Sequence, residues 1–176
     1  MQVANEIAEK SITLVRDHAN LLPIHLKPEQ RIAVIVPTPE DLTPADTSSY
    51  VTPQLAESLR TYHAHVDEFV ISSTPDEKEV ASVLKQVNGY DLVVIGTINA
   101  FHQNGQALMV REIQKLNIPM MVVALRLPYD LAVFPRSANI SLHLWYSGTI
   151  HARAGAGGFW SRGDDWSFAG INSRLV

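Results

Sequence analysis

Four stretches of the chain are apolar almost throughout rather than at alternate positions: Arg31–Val36, Val66–Ile71, Asp91–Gly96 and Met120–Leu125. A strand covered by helices on both faces reads this way, whereas a strand with one wet face alternates. The pattern predicts that all four are strands buried on both sides. Between them the apolar spacing becomes helical. Thr52-Pro53 marks a start for Leu55, Ala56, Leu59 and Tyr62, predicting a helix near 52–63. Thr74-Pro75-Asp76-Glu77 reads as a capping box, with Val80, Val83, Leu84 and Val87 inward and Asn88-Gly89 as the stop, over 75–88. Leu108, Met109, Ile113 and Leu116 line a third helix over 106–117, ending at Asn117, and Ile140–Trp145 reads as a fifth strand.

Strand and helix in strict alternation predict an α/β fold. The expected form is a three-layer α/β/α sandwich around a mainly parallel, flavodoxin-like sheet. In such sheets ligands sit beyond the C-terminal strand ends, where the strand order reverses. The loops to watch are therefore Pro37–Val51, Ser72–Asp76, Thr97–Gly105 and Arg126–Asp130. The ends read differently. Residues 1–30 form a helix over Val3–Ser11 and an arm, 31–150 the sandwich, and 151–176 a glycine-rich tail with aromatics at no steady period, expected to be irregular and of uncertain kinship to the rest.

Composition narrows the function. A net charge of -4 with no Lys/Arg run disfavours nucleic acid and anionic membranes as partners. The absence of cysteine removes a thiol nucleophile, a thiolate metal site and any disulfide framework. The acidic start carries no signal peptide, and no apolar run approaches a membrane span, so the chain reads as soluble with its compartment open.

Familiar catalytic signatures are missing: there is no GxSxG, HExxH or GxxxxGK[ST]. Gly155-Ala156-Gly157-Gly158 follows no clear strand, and Arg162-Gly163-Asp164 is read as chance. His63 and His65 lack a carboxylate cluster and read as surface residues at a helix end, not as metal ligands. His18 and His25 read as solvated, and His143 as a hydrogen-bonded packing residue. The loop Thr97–Gly105 is dense in amides and hydroxyls with one aromatic, the usual means of holding a sugar, although a plain connection into the next helix explains it too. Arg126 ends a strand and could clamp a ligand or a neighbouring domain, or simply pair with Asp130 or Asp91. No metal and no cofactor is expected.

The order of these pieces resembles the second, C-terminal α/β domain of glycoside hydrolase family 3. Ala8–Asp17 followed by Leu21-Leu22-Pro23-Ile24 is similar to that domain's opening helix and arm. Tyr90–Gly96 is similar to a later strand, Gln106–Leu116 with Ile118–Leu125 and Pro128-Tyr129-Asp130-Leu131 to the run that follows it, and Tyr146-Ser147 to the pair after the last strand. The likeness covers roughly residues 4–147.

The resemblance implies a domain that follows a (β/α)8 barrel holding the nucleophilic Asp. In the β-glucosidase branch this domain donates a Glu acid/base from the loop after the strand ending at Gly96. Here that loop has no carboxylate, as in the β-N-acetylhexosaminidase branch, whose acid is a His on the barrel. Retaining hydrolysis needs two groups about 5 Å apart across the bond, and neither is assignable here. A second departure is the missing proline-containing closing segment. The implied function is therefore a domain of a β-N-acetylhexosaminidase-like enzyme, inactive alone, that packs on the barrel and shapes the rim of the carbohydrate site. Asn99, Phe101, His102, Gln103, Arg126, Tyr129 and Asp130 are the rim candidates, and a homodimer is possible. The alternative is a stand-alone flavodoxin-like ligand-binding or dimerisation module. A flavin version would need a Gly-containing phosphate loop after Val36, and a receiver version an acidic cluster there with a Lys near the last strand.

Overall fold

The computed structural model describes residues 13–17, 24–41, 43–45, 49, 52–134, 140–143, 161–162 and 166–167. The helix expected over Val3–Ser11, His18, the pair Tyr146-Ser147 and most of 151–176 lie outside these residues, as does the side chain of His143.

The strands are β1 (Thr13–Arg16), β2 (Ile32–Pro37), β3 (Val66–Ile71), β4 (Leu92–Thr97), β5 (Met120–Ala124) and β6 (Ile140–His143). They form one six-stranded sheet in the order β1-β6-β5-β4-β2-β3. All neighbours are parallel except β1, which pairs antiparallel with β6. Numbered among themselves, the five parallel strands run 2-1-3-4-5, the flavodoxin-like order. The arm thus extends the sheet at its far edge. A separate two-residue ladder pairs β7 (Ser161–Arg162) with β8 (Trp166–Ser167).

Helix α1 (Leu55–Arg60) covers one face, packing Ala56 and Leu59 against Ile32, Val34, Val36 and Val66. Helices α2 (Glu77–Val87) and α3 (Asn104–Gln114) cover the other, where Val80, Val83, Met109 and Ile113 meet Ala33, Ile35, Val93, Ile95 and Val122. Every residue of β2, β4 and β5 is buried, as their unbroken apolarity requires.

Strand β3 departs from the expectation. It is an edge strand with Asp67, Glu68 and Val70 exposed, Val70 to 66%. Acidic side chains at an edge discourage pairing with another chain. Helix starts also shift. The cap of α2 is Asp76, whose carboxylate accepts from Glu79 N–H at 2.8 Å, rather than Thr74. Glu79 reaches back to Ser72, at 2.8 Å from its N–H and 2.6 Å from its hydroxyl. Helix α1 begins at Leu55 with no side-chain cap, and α3 begins at Asn104, before the expected Gln106.

His63 is the other correction. It is buried, not a surface residue; its Nε2 lies 2.6 Å from Gln30 O and its ring packs edge-on against His65 at 6.2 Å. Among the described residues no group of His, Asp and Glu could hold a metal, and no helix is long and apolar enough to cross a membrane.

Candidate functional site

The order of the parallel strands reverses between β2 and β4, so the chain leaves these two neighbours toward opposite faces. A small depression, open to solvent, lies at their C-terminal ends. Thr38 and Glu40 enter it from the exit of β2, Ser73 from the exit of β3, and Ile98 and Asn99 from the exit of β4; Gln103 and Gln106 at the start of α3 complete it.

Gln106 shapes this end of the molecule. Its side chain is buried, and its Oε1 accepts from Ile98 N–H at 2.9 Å. Its Nε2 donates to Ile98 O at 2.9 Å and to Ser73 O at 2.7 Å. One carboxamide therefore pairs both backbone groups of Ile98, much as a neighbouring strand would, and ties that loop to the exit of β3. A glutamine in the first turn of a helix reads as solvated, so the sequence alone does not mark this role. Gly105 makes the arrangement possible, because a Cβ there would collide with the carbonyl of Pro75.

The rim candidates separate into three sets. Phe101 is 53% and Tyr129 66% exposed; His102 is exposed beside Phe101, with ring centroids 5.1 Å apart. Gln103 and Arg126 are half-buried. Asn99 and Asp130 are buried and serve the loop from within. Asn99 adopts φ 59, the left-handed conformation asparagine tolerates best among larger residues, and its carbonyl accepts from His102 N–H at 2.9 Å and Gln103 N–H at 3.0 Å. Asp130 lies in the 3-10 turn Pro128–Val133, and its Oδ1 accepts from Phe101 N–H at 3.1 Å. The loops after β4 and β5 are thus fastened together, with their aromatic side chains left outside.

Asp91, once a possible partner for Arg126, is engaged at the other end of the strands. It accepts from Arg31 N–H at 2.7 Å and from Gln30 Nε2 at 3.2 Å, and these bonds hold its carboxyl below the usual carboxylate range. Arg31 also donates to Asp67 at 2.8 Å and to Tyr90 at 2.7 Å, its guanidinium lying 4.2 Å from the Tyr90 ring centroid. Tyr90 donates to Asp67 at 2.7 Å, and that bond, then the one from Arg31, lowers the Asp67 pKa. This network fastens the N-terminal strand ends, away from the loops discussed above.

No family model and no curated protein matches the sequence. Solved structures do match. A glycoside hydrolase family 3 β-N-acetylglucosaminidase from Paenibacillus sp. str. FPU-7 superposes with a TM-score of 0.68 at 23% identity, over 81% of this chain and 26% of that one. The chain has the fold of the family 3 C-terminal α/β domain. A fungal multi-domain family 3 β-N-acetylglucosaminidase, described as having a GCN5-related glucosamine N-acetyltransferase region, gives a TM-score of 0.66 at 25% identity over 87% of this chain and 17% of its own. The β-N-acetylglucosaminidase from Thermotoga maritima gives 0.50 at 16% identity, over 81% and 28%. The match spans about a quarter or less of the length of these enzymes.

Proposed function

We propose that the chain serves as the C-terminal domain of a family 3 β-N-acetylhexosaminidase-like enzyme, packing on a (β/α)8 barrel and shaping the outer rim of its sugar site. The observation that carries this reading is the pair of fastened loops at the C-terminal strand ends, which present Phe101 and Tyr129 to solvent in a domain of this fold. Aromatic side chains anchor both protein contacts and sugar faces. Loop 97–105 holds no carboxylate or other group able to transfer a proton to a leaving sugar except His102, which is exposed with no nucleophile assigned. Catalysis then belongs to the barrel and positioning to this chain.

A flavin-binding role is less well supported, because the exit of β2 is Pro37-Thr38-Pro39-Glu40, without a glycine to let phosphate approach and with a carboxylate at the lip. The coding DNA upstream of this segment tests the proposal. An in-frame barrel is expected, and in that enzyme Phe101→Ala with Tyr129→Ala should raise KM for N-acetylglucosaminides more than it lowers kcat. The absence of any barrel from the gene would overturn it.

A further inference from the structure

The depression between the exits of β2 and β4 contains hydrogen-bonding capacity that the fold does not use. Ser73 Oγ and Asn99 Oδ1 are buried, their residues 7% and 4% exposed, and neither atom has a hydrogen-bond partner. Their neighbours are committed elsewhere: Thr38 Oγ1 donates to Ile71 O at 3.0 Å, and both ends of the Gln106 carboxamide are taken by Ile98 and Ser73 O. What remains is the Ser73 hydroxyl, the carboxamides of Asn99 and Gln103 and, at the open lip, the Glu40 carboxylate. Unfilled hydrogen bonds at buried atoms are destabilising unless an outside group supplies them, and both of these atoms belong to residues lining one open depression.

The chemistry of that group follows from the set. An anion is disfavoured by Glu40 and by the Asn99 carbonyl dipole. A hard cation such as calcium takes about six or more oxygen ligands, and here it would find a single carboxylate beside the N-terminus of the eleven-residue α3, whose dipole is positive and whose cap residue Gln103 makes no side-chain capping bond. A neutral hydroxyl suits every element. It donates to Asn99 Oδ1 or to Glu40 and accepts from Ser73 Oγ.

We propose that this depression is a binding notch for a hydroxymethyl group or adjacent hydroxyls of a neutral saccharide, separate from the aromatic rim. It rests on the reading above only in taking the hydroxyl to be a sugar's. Asn99 and Phe101 are two residues apart in one turn, a span of at most about 7 Å of chain, so one saccharide can touch both notch and rim.

Titration of the ¹⁵N-labelled full chain with N-acetylglucosamine and its β-1,4 dimer tests this. Amide shifts at Ser73, Asn99 and Gln103 with saturation in the millimolar range are expected. Ser73→Ala and Asn99→Gly, the latter keeping a residue suited to positive φ, should each weaken binding at least fivefold while leaving Tm unchanged or higher, since each removes an orphaned polar group. Shifts confined to Phe101 and Tyr129, a larger response to inorganic phosphate or calcium chloride, no response at all, or variants that bind as the parent does would each overturn the notch. These outcomes are independent of the barrel: an in-frame barrel with no sugar response leaves the domain reading intact and removes this one.

Discussion

Asp130 Oδ1 accepts a hydrogen bond from the backbone N–H of Phe101 at 3.1 Å, joining the loop that leaves β5 to the loop that leaves β4. The carboxylate is completely buried while the phenylalanine it holds is 53% exposed. Asp130→Ala should destabilise the chain by about 1–3 kcal/mol and speed hydrogen exchange at the Phe101 amide. Asp130→Asn, which keeps a carbonyl acceptor, should cost less than half as much. Urea unfolding with amide exchange checks this; equal losses in the two variants would show that the bond does not hold the loop.

Gln106 satisfies three backbone groups from a buried position. Gln106→Leu fills the same space but abandons all of them, and a loss of about 3 kcal/mol is expected because each stranded buried group costs about 1–3 kcal/mol, partly recovered by local water entry. The midpoint in urea should fall with the slope unchanged. Glutamate at this position should be worse than leucine at neutral pH, since its carboxylate would face the carbonyls of Ser73 and Ile98.

Two glycines are needed for different reasons. Gly105 lacks room, since a Cβ would strike the Pro75 carbonyl, whereas Gly89 has open space but φ 96. Gly89→Ala should cost about 1–2 kcal/mol from backbone conformation alone. Gly105→Ala should cost more and also displace the amide resonances of residues 98–106. Chemical-shift mapping distinguishes the two: Gly89→Ala should leave that loop unchanged.

Stability should depend on pH through Asp67 and Asp91, whose pKa values the folded chain lowers by hydrogen bonds from Tyr90 and Arg31 for the first, and from the Arg31 N–H and Gln30 for the second. A carboxyl with a depressed folded-state pKa contributes stability above its unfolded value, about 4, and loses it as pH falls through the lower folded value. Tm should therefore decline below about pH 4. Asp67→Asn with Asp91→Asn should flatten that decline. The effect of Asp67 should be small and salt-sensitive, because its side chain and that of Arg31 are 51% and 52% exposed. A doubly substituted chain with an unchanged acid limb would assign the loss to other carboxylates.

The purified chain should not hydrolyse aryl glycosides of N-acetylglucosamine or glucose above background, because loop 97–105 offers no carboxylate and the chain has no assigned nucleophile. A chromogenic assay suffices. Turnover abolished by a substitution inside this chain would overturn the division of labour proposed above.

Much of the sheet was legible in the sequence because burial on both faces leaves an unmistakable mark: Ile32–Val36, Leu92–Ile95 and Met120–Leu125 can be apolar throughout only if neither side meets water. The same rule misjudged Val66–Ile71, an edge strand with Asp67 and Glu68 exposed, since a strand's place in the sheet depends on which neighbours it pairs with. The exposure of Phe101 and Tyr129 was legible from their positions after strands. The buried roles of His63, Asn99, Gln106 and Asp130 were not. Polar side chains of these types are usually solvated, and three of the four are internal because the fold brings partners to them: Gln30 O for His63, the Phe101 N–H for Asp130, Ile98 and Ser73 O for Gln106. Periodicity carries the hydrophobic effect, which acts along the chain, whereas hydrogen bonds between residues far apart in sequence are decided only when tertiary structure sets their distance and direction.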